Sequence, residues 1–197
     1  MPHRYPFACR RIAALVAGAA CGLAGSAGAA PLAYTLDPAN THVHWEIQHF
    51  GTSTLRGRFD TLEGSLTLDR EARSGAVSIS IGTESVSSGT NVFNGVLRGP
   101  LLLATQAHPS AYFVAQRFAF EGDNVSAVSG EFTLRGVSRP LTLRALRFAC
   151  RNATEPAREV CGGDFEAEFQ RSDFGITHRL PFVGDRVRVV IQVEGYR

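Results

Sequence analysis

The 197-residue chain contains no lysine, and its 20 basic residues are all arginines scattered along the sequence. They form no extended basic run of the kind that nucleic-acid-binding proteins carry, so that class is excluded. The sequence also lacks a Gly-x-Ser-x-Gly motif, a phosphate-binding glycine loop and a dinucleotide fingerprint. Serine hydrolases and nucleotide-dependent enzymes are therefore without support. A carboxylate pair for glycoside hydrolysis could still lie among the 18 acidic residues.

An apolar run long enough to cross a bilayer is also missing. The arginines of Arg10–Arg11 precede a short, Ala- and Gly-rich apolar run, 12–24, and an Ala-x-Ala sequence ends at Ala29. A basic start, a short apolar middle and this ending predict a cleaved signal peptide over residues 1–29 rather than a retained anchor. The leader contains three arginines and no acidic residue, so the mature chain, 30–197, carries 17 arginines against 18 acids and a net charge of −1.

Cysteine is scarce, and the leader contains Cys9 and Cys21. Cys150 and Cys161 remain in the mature chain. In an exported protein a single remaining pair is expected to form a disulfide, whereas a zinc site would need about four closely spaced ligands. We predict a Cys150–Cys161 disulfide across two strands, with residues 151–160 as the hairpin loop.

Alternating apolar and polar residues dominate the mature chain. The segments with this period of two include 43–48, 62–68, 77–81, 131–135, 141–144, 165–170 and 187–194. This period gives a strand one apolar and one polar face. Many such segments separated by Gly, Asp, Asn and Ser predict one all-β domain, an antiparallel sandwich or barrel. Residues 91–105 depart from the pattern, and their leucine spacing predicts a short helix and loop, interrupted near Pro100.

Phenylalanine is abundant, with 12 of the 13 residues in the mature chain. They could line a wide apolar cavity or fill an ordinary core, and the sequence does not choose between these. The alternation assigns five aromatic residues to the inner face: Trp45, Phe59, Phe113, Phe132 and Phe169. Residues 111–120 are apolar on both faces, which leaves Phe118 and Phe120 less certain.

Two histidines, His42 and His44, share one face of a predicted strand, a spacing seen in metal sites on β-strands. A third ligand would have to come from elsewhere, for example His49, His108 or His178. Because nothing fixes that ligand, we favour a polar outer face that carries histidines, and we predict no metal site.

The sequence Arg171–Gly175 follows the predicted strand at 165–169. One interpretation is a turn with a surface ion pair between Arg171 and Asp173. The other is a barrel mouth at which Arg171 meets an anionic head group.

The order of several short motifs resembles that of YceI-like proteins. The resemblance runs from Asp37–Phe59, with its Trp45 and His49–Gly51, through His108–Phe113 and Gly130–Pro140 to Arg171–Gly175 and Val183–Val187. It covers essentially the whole mature chain in collinear order. It implies a single lipocalin-like antiparallel β-barrel in the periplasm that carries a long isoprenoid lipid, a polyprenyl diphosphate or a quinone-type lipid, in its interior.

This interpretation assigns roles to specific residues. The tail is expected to contact the five inward aromatics, Trp45, Phe59, Phe113, Phe132 and Phe169. Guanidinium groups bind diphosphate well, so Arg98 and Arg171 are head-group candidates, with Asn94 and His178 as neutral helpers.

We expect a binding protein without a cofactor rather than an enzyme. Two alternatives stay open: an enzyme acting on a lipid or amide substrate in the same cavity, and an interaction module that delivers lipid to an inner-membrane redox protein. The sequence leaves the oligomeric state open, a homodimer included.

Overall fold

The computed structural model describes residues 32–197 together with Met1 and His3. The predicted signal peptide, 1–29, lies outside the described residues apart from those two. The strands are β1 (Leu32–Leu36), β2 (His42–His49), β3 (Ser53–Phe59), β4 (Leu62–Asp69), β5 (Ser74–Gly82), β6 (Val86–Ser87), β7 (Ser110–Glu121), β8 (Asn124–Leu134), β9 (Val137–Thr154), β10 (Ala157–Gln170) and β11 (Val183–Tyr196). One α-helix, α1 (Asn91–Arg98), and two 3₁₀ turns, Thr83–Ser85 and Arg171–Phe174, complete the described elements.

The strands form one antiparallel sheet in the order β1-β4-β5-β7-β8-β9-β10-β11-β2-β3-β6. The sheet closes because β1 also pairs with β11, Thr35 opposite Tyr196. Three pairs of short strands each occupy one position in the barrel. β1 and β2 both pair with β11. β4 pairs with β1 and β3 with β2, and in the next position β5 pairs with β4 and β6 with β3. The result is a closed barrel with eight strand positions. The predicted all-β, lipocalin-like barrel is confirmed, and the sandwich alternative is excluded.

A β-bulge explains why β7 is apolar on both faces. In its first half Phe113 is buried and Val114 is half exposed. A register shift at Ala115–Arg117 then exchanges the two faces, and beyond it Phe118 and Phe120 pack against the core. The phase of the alternation therefore changes within the strand, which a strict period of two does not reveal.

Helix α1 occupies the segment predicted to be helical. It ends at Arg98, just before Gly99–Pro100, because proline cannot continue a helix. Its inner face carries Phe93 and Leu97, which pack against the buried cluster around Trp45. Among the described residues, no helix has the length and apolarity needed to cross a bilayer.

The barrel has two unlike ends. The mouth is the end that contains His49, Leu134 and Val183, and the base is the end that contains Cys150 and Tyr196. At the base, Cys150 and Cys161 face each other on β9 and β10 and form the predicted disulfide.

The predicted hairpin loop 151–160 is wrong. The ladder continues past the disulfide, from Arg151 opposite Val160 to Thr154 opposite Ala157. Only Glu155–Pro156 is left to make the turn. A disulfide between directly paired residues therefore lies within the hairpin and does not mark its end.

A polar cluster also secures the base. The carboxylate of Glu159 accepts hydrogen bonds from the hydroxyl of Tyr34 (2.9 Å), Nε of Arg197 (2.6 Å) and Nη2 of Arg70 (3.2 Å). Burial acts to raise the pKa of Glu159, but the hydrogen bonds from Tyr34 and Arg197 outweigh it and leave the pKa below its usual range. This cluster joins β1, β10 and the chain's last residue.

On the outer wall, an ion-pair ladder crosses five neighbouring strands. Glu46 on β2 lies 2.9 Å from Arg56 on β3 and 3.2 Å from Arg188 on β11. Arg188 also lies 2.7 Å from Glu166 on β10, which in turn pairs with Arg144 on β9. Hydrogen bonds from Arg56 and Arg188 hold the pKa of Glu46 below its usual range despite partial burial.

Candidate ligand-binding cavity

The barrel encloses a cavity of about 590 Å³ that opens at the mouth. On β11, the inward residues from Val183 to Val193 line it, so it extends along most of the barrel. Tyr34, Leu68 and Cys161 are buried at the base without lining it, so the base is packed. The cavity is therefore a blind, apolar pocket with one opening.

The five inward aromatic residues of the sequence analysis all line this cavity: Trp45, Phe59, Phe113, Phe132 and Phe169. They come from five different strands, because alternation turns the same face of each strand inward. The rings of Phe132 and Phe169 lie 5.4 Å apart, centroid to centroid. The structure brings the whole predicted set to one surface.

Gly57 leaves space for the indole of Trp45 in the cavity wall. The two residues are directly paired on β3 and β2, and the indole lies where a side chain at position 57 would be. A Cβ on Gly57 would clash with the Trp45 ring and with the carbonyl of Ser87. The glycine thus provides the space that the largest side chain of the cavity needs.

Arg171 lines the cavity, yet only 4% of it is exposed. Its guanidinium donates four hydrogen bonds to backbone carbonyls: Nε to Gly184 (2.8 Å), Nη1 to Ile176 (3.0 Å) and His178 (2.9 Å), and Nη2 to Val183 (2.9 Å). Four of the five N–H donors of the group are therefore used to hold the segment that connects β10 to β11 and the start of β11 itself.

The charge of Arg171 is poorly compensated. Burial lowers its pKa, and the nearby carboxylate of Asp185 counteracts this in part. That carboxylate accepts hydrogen bonds from the backbone and hydroxyl of Ser172 (2.8 and 2.6 Å). The interpretation of Arg171 as one half of a surface ion pair with Asp173 is wrong, because the guanidinium is buried against backbone carbonyls.

Two of the other head-group candidates lie away from the cavity lining. Nε of Arg98 donates to the carbonyl of Glu84 (2.8 Å) and lies 3.2 Å from its carboxylate. Oδ1 of Asn94 accepts hydrogen bonds from the backbone and hydroxyl of Ser88 (2.8 and 2.7 Å). In the structure both side chains tie α1 to the segment before it.

His178, the last candidate, lines the cavity at the mouth, where the structure adds two polar residues that sequence reasoning missed. These are His49, at the end of β2, and Arg179, an exposed residue of the β10–β11 connection. The length of that connection, 171–182, was the available signal, since long loops at a barrel end are where binding residues collect. Of the 33 residues that line the cavity, none is acidic.

The histidines considered as metal ligands are dispersed. His42 and His44 lie on the outer wall with ring centroids 6.2 Å apart, and Nε2 of His42 lies 3.1 Å from the carbonyl oxygen of Ala39. His49 and His178 are at the mouth. Within the described part of the chain, the only close trio of metal-ligating side chains is Cys150, Glu159 and Cys161, two of which form the disulfide.

A family model for the YceI-like domain matches residues 34–195. The chain belongs to the YceI-like family. The match begins at Tyr34 in β1 and ends at Gly195 in β11, the two strands that close the barrel, so the YceI-like domain and the described barrel coincide.

Curated YceI-like relatives match along nearly the whole chain. A UPF0312 protein of Pseudomonas aeruginosa is 32% identical over 192 residues, covering 95% of this chain and 98% of the relative. Protein YceI of Salmonella arizonae is 33% identical over 175 residues, covering 87% of this chain and 89% of the relative.

Solved structures agree on the fold. BcnA of Burkholderia cenocepacia superimposes with a TM-score of 0.70 at 21% identity, covering 81% of this chain and 98% of that one. A polyisoprenoid binding domain from Saccharophagus degradans gives a TM-score of 0.57 at 18% identity, covering 83% and 97%. At these identities the likeness concerns the YceI-like fold alone.

Proposed function

We propose that this YceI-like protein binds a long isoprenoid lipid in the barrel and carries it through the periplasm without chemical change. The observation that carries the proposal is the blind cavity of about 590 Å³, whose lining is apolar except for Thr41, Arg171 and the three mouth residues His49, His178 and Arg179. Such a cavity suits one elongated apolar chain. The signal peptide predicted over 1–29 supports the periplasmic location.

The cavity volume limits how much of the ligand is enclosed. If a methylene group occupies roughly the 30 Å³ of a water molecule, about twenty groups fit. Burial of each contributes roughly 0.8 kcal/mol before the cost of ordering the chain. We propose that a longer isoprenoid tail extends through the mouth.

The polar end of the ligand is proposed to lie at the mouth beside His49, His178 and Arg179, which line the opening. None of the described residues that line the cavity is acidic, so an anionic head group, or the partial negative charge of a carbonyl-bearing one, would meet no like charge there. Arg98 is no longer our candidate, since Glu84 already engages its guanidinium.

The Saccharophagus degradans domain named for polyisoprenoid binding supports the ligand class, because the two chains share the barrel that would contain it. That support is by analogy of fold, and the cavity of this chain is the more direct argument.

The test is organic extraction of protein purified from the periplasm, followed by mass spectrometry. Phe132→Arg should abolish lipid retention, because it buries an unpaired charge beside the hydrocarbon chain. Thr133→Arg, the neighbouring residue on the outer face of β8, is the matched control and should retain the lipid. A folded Phe132→Arg protein that retains as much lipid as Thr133→Arg would contradict the proposal.

The same preparation tests the absence of catalysis. Isotope-labelled isoprenoid incubated with the protein should be recovered unchanged. A product that forms at a rate proportional to protein concentration, and that Phe132→Arg eliminates, would instead indicate an enzyme.

A further inference from the structure

Exposed apolar side chains gather around the mouth. Ten large hydrophobic residues are exposed in the described part of the chain, and five of them belong to α1, to the turn after it, or to the β2–β3 and β10–β11 connections. We call them the rim: Phe50 (50% exposed), Val92 (86%), Val96 (52%), Leu101 (61%) and Phe182 (61%). Singly exposed apolar residues are ordinary, but a group of them around one opening indicates an interaction surface.

The rim borders the cavity itself. Phe50 and Val96 both line the cavity although each is about half exposed, which is possible only at its opening. Phe50 stacks on Phe182 with centroids 5.8 Å apart, and its backbone N–H donates to the Phe182 carbonyl (2.7 Å). Val92 lies one helical turn before Val96 on the same face of α1. The apolar surface is therefore continuous from solvent into the pocket.

The rim is held in place from below. Phe182 lies between two pairs of residues whose carbonyls accept hydrogen bonds from Arg171, Ile176 and His178 before it and Val183 and Gly184 after it. α1 is anchored through Phe93 and Leu97, which pack inside the barrel, and through Asn94. The exposed side chains consequently stay outside instead of collapsing into the cavity.

The charge at this opening has one sign. Arg179 lines the opening and is exposed, and no ion pair engages it among the described residues. In the part of the chain that the structure describes, no acidic side chain lines the cavity. An apolar surface with a cation at its edge and an amphipathic helix beside it has the character of a surface that binds at a membrane interface.

We propose that the rim docks on an anionic phospholipid bilayer, so that the mouth opens directly onto the membrane. The proposal rests on the proposed function for the cargo, which would then enter and leave without crossing water. The half-exposed phenylalanines would insert at the level of the head groups, and Arg179 would face the lipid phosphates.

Vesicle co-sedimentation with the exported protein tests this. The wild type should bind vesicles of phosphatidylethanolamine and phosphatidylglycerol and bind phosphatidylcholine vesicles more weakly, the difference shrinking as salt increases. Leu101→Asn with Phe182→Asn should reduce binding about tenfold, since it removes two exposed apolar side chains (61% each) of the rim, neither of which lines the cavity.

The matched control replaces two exposed apolar residues of the outer wall, Tyr112 and Val114 (47% and 49%), with Asn. This control should bind vesicles like the wild type. Circular dichroism should show both double variants folded. Absence of vesicle binding by the wild type, or equal loss in both double variants, would overturn the proposal. A change in sedimentation mass confined to the rim variant would assign the surface to a second copy instead.

Lipid loading from detergent micelles separates this proposal from the proposed function. The rim variant should load isoprenoid normally from micelles and lose only its uptake from vesicles. A folded Phe132→Arg protein should do the reverse, retaining vesicle binding without cargo. If the rim variant instead takes up isoprenoid from vesicles as fast as the wild type, the rim is not a docking surface.

Discussion

The base and the mouth of the barrel differ in the contacts that stabilise them. At the base, a disulfide joins paired strands, Glu159 collects three hydrogen bonds, and the guanidinium of Arg158 lies 3.9 Å from the ring centroid of Tyr196. At the mouth, strands give way to a helix and loops, and phenylalanine side chains are left in solvent. A disulfide and polar contacts stabilise the closed end, whereas solvent-exposed apolar side chains surround the end that is open to a ligand.

Arg171 complicates this contrast, because it gives the mouth an internal support of its own. A buried guanidinium bonded to four carbonyls joins the connection before β11, at Ile176 and His178, to the first two residues of β11, Val183 and Gly184. The comparison teaches that the mouth is ordered by polar bonds to its backbone, which leaves its side chains free for binding.

The largest effect is expected from Arg171→Met. It removes the hydrogen-bond donors of four backbone carbonyls, and we expect the free energy of unfolding to fall by about 3–5 kcal/mol. Urea unfolding measures this. Arg186→Met, which removes an exposed arginine paired at 3.6 Å with Glu168, should change stability by less than about 0.5 kcal/mol. Equal effects from the two substitutions would mean that Arg171 does not support the mouth.

The fold could be predicted from the sequence because alternation in seven of the eight strand positions records which residues face inward. It placed Trp45 and Phe132 correctly on that face. The alternation no longer identified the inner face beyond the Ala115–Arg117 bulge, because one extra residue shifts its phase without changing the composition of the strand. It also placed a loop at 151–160, where the strand ladder continues.

The polar part of the site was harder to predict. A charged residue at a strand end is equally compatible with binding a ligand and with binding backbone carbonyls, and Arg171 does the latter. Arg179 and His49 reach the same opening because β11 pairs with β2, Val183 opposite His49, although the two strands are far apart in the sequence. Sequence order gives no indication of such proximity.

The second effect concerns the base. Replacing both Cys150 and Cys161 with alanine should destabilise the fold by about 2–3 kcal/mol, as expected for the 11-residue separation of the pair. Lipid retention at 25 °C should be unchanged, because Cys150 and Cys161 do not line the cavity. Thermal unfolding with and without reductant provides the measurement, and reduced wild type should match the variant. Loss of lipid from the folded variant would show that the two ends are coupled.

The third effect tests the head-group proposal. Arg179→Ala should weaken binding of a prenyl diphosphate about tenfold relative to the corresponding prenyl alcohol, because one charge-assisted contact is lost. Arg98→Ala is the matched control and should weaken neither, since its guanidinium is bound to Glu84. Fluorescence competition in detergent micelles measures both ligands without a membrane. If Arg98→Ala shows the selective loss and Arg179→Ala does not, the head group lies beside α1.

The smallest effect on stability is expected from the ion-pair ladder of the outer wall, which lies between the two ends of the barrel. Arg56 and Arg188 hold the pKa of Glu46 below its usual range. The stability that the Glu46 carboxylate contributes is therefore fully present above the ordinary carboxyl pKa and is lost as the pH falls through the lower pKa of the folded state. Glu46→Gln should therefore cost less than about 1 kcal/mol near neutral pH, because the pairs are partly exposed. The difference from wild type should shrink as the pH falls below the ordinary carboxyl pKa of about 4.3 and vanish once Glu46 is protonated in the folded protein. Urea midpoints across this range measure it, with Glu131→Gln, a change at an exposed residue of β8 that makes no ion pair in the described chain, as the control. A difference that persists unchanged at the acid end would mean that Glu46 acts through packing and that the ladder contributes no charge-dependent stability.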